Sequence, residues 1–243
     1  MATTSPFPPG ALEWLIGRPP SQVLLVGAAT YVPVLSRLGH EVTVLETAGG
    51  VTSTALRYPG AHAVAATAEA LPFDPQVFDV IVSIQNFHTF DPTVALAQWA
   101  RVLRGHGHIG LAYMVRDDSV PWVKKLRAII QTYLPQAMAG EYGVESVAAL
   151  SGADAFPRVE QTAFRLWVPS TRTQLQDSAR RAAGAEELDA KTENAMCAAI
   201  GQLYDEYARV PDPLKLPYQL VCWRAWVDKP EPFGLTAGLT IAL

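Results

Sequence analysis

Val23-Leu24-Leu25-Val26-Gly27-Ala28-Ala29-Thr30-Tyr31 is the stretch on which the reading of this 243-residue chain turns. Four apolar residues form a short buried strand, and a turn of small residues follows at once. The chain then enters an amphipathic segment, Val32–Leu38, and a second strand that runs from Glu41 to Leu45 and ends on an acid, Glu46. Strand, tight turn, helix, strand and acid open a nucleotide-binding βαβ unit. The turn keeps one glycine, Gly27, where such turns carry two or three.

Outward from this unit the alternation continues. Ala11–Ile16 predicts a short helix closed by Gly17 and Pro19-Pro20. Gln22–Val26 and Val42–Leu45 are the first two strands, Val51–Tyr58 a short helix and Ala61–Ala66 a third strand. Phe78–Ile84 is a continuous branched apolar run, the pattern of a strand buried on both faces. Asp91 caps the next helix with Pro92 at its first position, and Val94, Leu96, Trp99, Ala100 and Leu103 share one of its faces. Gly105-His106-Gly107 predicts a turn into a fifth strand, His108–Met114. Beyond it the alternation breaks down. Asp118-Ser119 starts a helix over Val120–Tyr133, and Glu141–Leu150 is a short helix. Val159–Val168 is a strand, Thr171–Ala183 and Glu186–Tyr207 are helices, and Tyr218–Trp226 is the last strand. The sum is an α/β fold with a mostly parallel sheet and an antiparallel end.

Composition narrows the function. Hydrophobic residues make up 49% and charged ones 17%, with a net charge of −4. No run of Lys or Arg offers a footprint for nucleic acid or an anionic membrane. The two cysteines, Cys197 and Cys222, have neither metal-ligand nor disulfide-framework spacing, and His106 and His108 lack a third ligand, so no metal is expected. The first residues carry no signal-peptide pattern, and no apolar run approaches a membrane span. A soluble cytoplasmic protein is expected. The tail, Glu231–Leu243, is apolar and predicts packing on the body, on a second copy or on a protein partner.

Several blocks carry a resemblance. They are Ala68-Glu69-Ala70-Leu71-Pro72-Phe73, Phe78-Asp79-Val80, Gln85-Asn86-Phe87-His88-Thr89-Phe90-Asp91 and Ala100-Arg101-Val102-Leu103-Arg104-Gly105-His106-Gly107. In this order and spacing the chain resembles the class I S-adenosylmethionine (SAM)-dependent methyltransferases, most closely the small-molecule branch called type 11, over about residues 11–228. Arg116-Asp117-Asp118-Ser119-Val120-Pro121-Trp122 and Leu216-Pro217-Tyr218 look like one subgroup within it. The resemblance implies one Rossmann-like, seven-stranded domain over 1–243, with helices on both faces. It also implies an N-terminal cap (1–20), helical lid segments (115–158 and 170–210) and a tail (229–243).

By the same resemblance, Gly27 and Ala28 would face the methionine end of SAM and Glu46 its ribose, nineteen residues on from Gly27, near the usual spacing of about 20. Thr67 and Ala68 would lie by the adenine, and Gln85 would line the mouth. His88 is the nearest candidate general base. Tyr113, with Trp122, would face the acceptor. The family turn reads Asp-x-Gly-x-Gly-x-Gly. Here Leu25 replaces the leading acid, Ala29 the second glycine and Tyr31 the third. Thr67 replaces the adenine acid, and the turn is about two residues short. Two functions are therefore expected: a SAM-dependent methyltransferase acting on a small apolar metabolite, or a pseudo-methyltransferase that has lost SAM and serves as a structural or regulatory partner. A third keeps the pocket for another reaction. Whether the Tyr31 ring occupies the space over Gly27 is the deciding observation.

Overall fold

The computed structural model describes residues 7–135, 137, 147–182, 184–209, 211 and 213–229. Its first half runs α1 (Pro9–Ile16), β1 (Gln22–Val26), α2 (Val32–Arg37), β2 (Glu41–Glu46), α3 (Val51–Arg57), β3 (His62–Ala65), β4 (Phe78–Ile84) and α4 (Pro92–Val102). The second half runs β5 (Leu103–Arg116), α5 (Pro121–Tyr133), β6 (Arg158–Ser170), α6 (Arg172–Arg180), α7 (Ala190–Tyr207) and β7 (Leu214–Trp226). The strands form one seven-stranded sheet in the order β3-β2-β1-β4-β5-β7-β6. β1 to β5 are mutually parallel, and β7 runs antiparallel to both β5 and β6. The mixed sheet is therefore the one the sequence predicts.

Alternation along the strands makes two layers. Leu24, Val26, Ile81, Ile109 and Leu111 pack with Ala95, Leu96 and Trp99 of α4. Val23, Leu25, Val80, Val82 and Ala112 pack with Leu12 and Leu15 of α1 and with Val32 and Leu35 of α2. A third cluster stands apart, where α5, α6 and α7 bring Trp122, Leu126, Ile130, Leu175 and Ile200 together. Trp122, expected to face the acceptor, is buried in that helical cluster.

Three local expectations change. Gly105–Gly107 is not a turn ahead of a strand but an irregular stretch inside β5: Phe78 pairs with Leu103, the register slips, and Val80 pairs with His108. Neither Asp117 nor Asp118 caps α5, whose N-cap is Val120 without a side-chain bond. Asp117 instead accepts the backbone N–H of Ser119 at 3.1 Å and its hydroxyl at 2.5 Å, and Arg165 of β6 pairs with its other oxygen at 3.0 Å. The Ser119 bonds chiefly hold its carboxyl below the ordinary carboxylate range. Finally, the helix expected over Glu186–Tyr207 is broken: a 3-10 turn at Ala185–Glu187 precedes α7, which is capped by Asp189 accepting from Thr192 N–H at 2.7 Å. Asp91 does cap α4, accepting from Thr93 and Val94. Most of the helix expected over Glu141–Leu150, and the tail, lie outside the described residues.

α1 is fastened to the sheet by two features of β5. A Cβ at Gly110 would stand 2.8 Å from Leu15 O, so only glycine lets α1 come this close. His108 is buried, and its Nε2 donates to the same carbonyl at 2.9 Å. Burial pushes the His108 pKa below its ordinary 6.5. The unfolded chain therefore takes up the proton more readily than the folded one. This part of the stability is complete above pH 6.5 and is lost as pH falls from there toward the depressed folded value. Urea midpoints are expected to drop on acidification through this window in the wild type, and to drop less in His108→Gln, which keeps a donor but cannot titrate.

Candidate active site

The strand register delivers every candidate residue to one edge of the sheet. Val26 pairs with Leu45 on one side and with Ser83 on the other. Gly27 and Glu46 therefore leave β1 and β2 side by side, and Gln85 leaves β4 next to them. Glu46 pairs with Ala65, so Thr67 and Ala68 emerge beside it, and Ile84 pairs with Ala112, one residue before Tyr113. This is the carboxyl edge at the point where the strand order reverses from β1 toward β4, the place for a ligand crevice in an open α/β sheet.

The backbone at this edge is held in unusual conformations. Gly27 has φ 66° and Ala28 φ 53°, two left-handed residues in succession, and Gln85 after β4 has φ 62°. A non-glycine residue there costs about 1–2 kcal/mol, and such strain concentrates where a ligand is clamped. The side chain nearest Gly27 is Asn86: a Cβ on Gly27 would stand 2.7 Å from Asn86 Nδ2. Asn86 Nδ2 donates to Val26 O at 2.7 Å, and the Ser83 hydroxyl donates to Asn86 Oδ1, so one amide ties the ends of β1 and β4 together. Tyr31 lies elsewhere. Its ring is buried against Phe7, centroids 4.9 Å apart, in the layer beneath α1 and α2, and that burial pushes its pKa up. The ring that could have filled the crevice is part of the core.

Glu46 is half-buried, and its Oε1 accepts from the Thr54 hydroxyl of α3 at 3.2 Å. Thr67 is exposed and bridges to Ala70 across a tight turn. Ala68 is buried, and its carbonyl accepts from Trp99 Nε1 at 3.2 Å. Gln85 points along the rim: its N–H donates to Ala112 O and its Oε1 accepts from Met114 N–H at 3.1 Å. His88 is exposed on a 3-10 turn, Phe87–Thr89. Tyr113 is 1% exposed, with its ring against Trp223 and its hydroxyl oxygen accepting the His88 N–H at 3.0 Å. It reaches the edge through that hydroxyl alone.

Asn86, Ser83 and Trp99 belong to this site although the sequence reading assigned them no role. For Asn86 and Ser83 the signal was two polar residues at the end of an otherwise apolar strand. Among the described residues no group of three or more His, Cys, Asp or Glu side chains gathers as metal ligands, and no helix is long and apolar enough to cross a membrane.

Residues 24–111, the whole of this edge but Tyr113, match the family model described as a methyltransferase domain. Over those residues the chain is similar to the methyltransferase domain, and its fold is that of the class I methyltransferases. An uncharacterised methyltransferase of Mycobacterium tuberculosis is 34% identical over 129 residues, 51% of this chain and 52% of that protein. A methyltransferase-like protein of Schizosaccharomyces pombe is 33% identical over 81 residues, 33% of this chain and 32% of its own. The chain thus spans about half the length of the curated relatives it matches. Among solved structures, a proposed type II methyltransferase from Anaeromyxobacter dehalogenans superposes with TM-score 0.65 at 16% identity, covering 92% of this chain and 98% of that one. A Haemonchus contortus phosphoethanolamine N-methyltransferase, solved with phosphomonomethylethanolamine and S-adenosylhomocysteine, superposes with TM-score 0.51 at 12% identity over 90% and 52% of the two chains. The cyclase SpnF superposes with TM-score 0.52 at 16% identity over 91% and 80%. The class I methyltransferase fold therefore also carries chemistry other than methyl transfer, and the site has to decide between them.

Proposed function

We propose that this protein is a SAM-dependent methyltransferase of the cytoplasm, acting on a small, largely apolar metabolite. The observation that carries the reading is the left-handed Gly27–Ala28 turn emerging beside Glu46, with the Tyr31 ring packed in the core instead of over the turn. The residues present fit the cofactor. Gly27 and Ala28 would bring backbone close to its amino-acid end, and Glu46 would accept hydrogen bonds from the ribose hydroxyls while Thr54 steadies the carboxylate. Thr67 and Ala68 would border the adenine, and Gln85 the mouth of the crevice. When bound, SAM supplies an electrophilic methyl group. The protein's own contribution is positioning: a reactant held in line with that methyl needs little further activation. His88 and Tyr113, at the ends of β4 and β5, would face the acceptor.

Calorimetric titration with S-adenosylhomocysteine tests this reading. A saturable heat is expected, and Glu46→Ala is expected to weaken binding about tenfold to hundredfold, the loss of about 1.5–3 kcal/mol of charge-assisted hydrogen bonding. No heat at high micromolar protein would overturn it in favour of a second reading, a pseudo-methyltransferase acting as a structural or regulatory partner. The substitutions at Leu25, Ala29, Tyr31 and Thr67 favour that alternative.

A further inference from the structure

The hydroxyl of Tyr113 stands between two nitrogens of the same residue. Its oxygen takes the backbone N–H of His88 at 3.0 Å, and His88 Nδ1 lies 3.4 Å from it. The rings are tilted at 49° with centroids 6.0 Å apart. A phenol has one proton to give. The backbone N–H uses a lone pair of the oxygen and leaves that proton available. His88 Nδ1, 3.4 Å away, is placed to take it. A neutral imidazole whose Nδ1 accepts a hydrogen bond carries its own hydrogen on Nε2. Tyr113 is buried and bound within the core, whereas His88 is exposed at the rim, so the fixed partner dictates the tautomer of the mobile one.

We infer that Tyr113 is a positioning residue that locks His88 as the Nε2–H tautomer, making His88 a hydrogen-bond donor to the substrate rather than a base that removes its proton. The substrate class follows from that polarity: an apolar molecule carrying an oxygen lone pair, as a carbonyl or carboxylate, near the methylated atom. An amine or other cationic acceptor would meet the wrong end of a dipole. This assignment rests on the methyltransferase reading for the identity of the reaction. The tautomer itself does not depend on it, because both partners in the contact belong to this chain.

The test uses the full chain with isotope-labelled histidine and long-range proton–nitrogen correlation spectra recorded with the ring neutral. His88→Asn identifies the signal of His88 among the five histidines by its disappearance. The Nε2–H pattern is expected in the wild type. Tyr113→Phe, which keeps the buried ring, should move the Nδ1 resonance and relax the pattern toward the mixture of a free imidazole, with an unchanged melting curve showing the fold intact. A wild-type Nδ1–H pattern, or a pattern unaltered by Tyr113→Phe, overturns the inference. Benzoate then probes the polarity: titration should shift the Nε2–H signal, while benzylammonium should not. A response to the amine alone, or to neither, overturns the substrate class. Absence of S-adenosylhomocysteine binding alongside a Tyr113-dependent tautomer would remove the reaction and leave the pair standing.

Discussion

Trp99→Ala is expected to destabilise the protein by about 3–5 kcal/mol, the range for deleting a buried indole, and to weaken cofactor binding well beyond what the loss of fold predicts. Trp99 is 0% exposed and packs on Phe87 and Phe90, whose turn carries His88. Its Nε1 donates to Ala68 O, holding the segment expected beside the adenine. One side chain on α4 thus braces two separate walls of the crevice. Trp99→Phe separates the two roles. It keeps most of the apolar volume and removes only the hydrogen bond, for about 1–3 kcal/mol if the Ala68 carbonyl is left unpaired. Chemical denaturation reads the stability, and calorimetry with S-adenosylhomocysteine reads the site. An alanine variant that melts early but binds normally once folded would show that Trp99 serves the core alone.

Gly27→Ala is the second large effect. The residue sits at φ 66°, where an added Cβ costs about 1–2 kcal/mol. That Cβ also meets Asn86 Nδ2 at 2.7 Å. The amide has to leave Val26 O, and an unpaired buried group costs about 1–3 kcal/mol more. A total of about 2–5 kcal/mol is expected, together with loss of measurable cofactor binding. The two contributions can be parted by a double-mutant cycle with Asn86→Ala. In that background the steric share vanishes, and Gly27→Ala should cost only the backbone strain. Equal costs in both backgrounds would mean that Asn86 is not what reserves this position for glycine.

Much of the fold was legible because its signals are local. Phe78–Ile84 reads as a doubly buried strand and is one, and the cap at Asp91 is visible from the Asp-Pro pair alone. Errors arose where a local signal was overruled by pairing. Gly105-His106-Gly107 looks like a turn ahead of a strand, yet pairing with β4 on both sides, at Leu103 and at His108, makes it an irregular stretch within β5. Asp117-Asp118 looks like a helix start, yet Arg165, arriving from a strand far along the chain, recruits Asp117. The site was legible as a set of strand ends, because register needs only strand positions. What each side chain does there was not. The role of Asn86 depends on a carbonyl sixty positions away, and the hydroxyl of Tyr113 reaches His88 across twenty-five. Nothing in the sequence foretells either meeting. Tyr31 shows the reverse case: a bulky residue in a glycine's place reads as an obstruction, yet its ring turns into the core beside Phe7.

The place of β7 between β5 and β6 has a consequence for how the molecule is made. The last strand among the described residues is not an edge strand but the one that joins its two neighbours. While Leu214–Trp226 is still inside the ribosome, thirteen residues of β6 have no neighbour to pair with, and the edge of β5 facing away from β4 is open. The half-sheet from β3 to β5 can form during translation, but the remainder waits for β7. Such long unpaired edges are templates for aggregation. The nascent protein therefore exposes these edges until Leu214–Trp226 emerges, and a premature stop ahead of Leu214 strands it in that state.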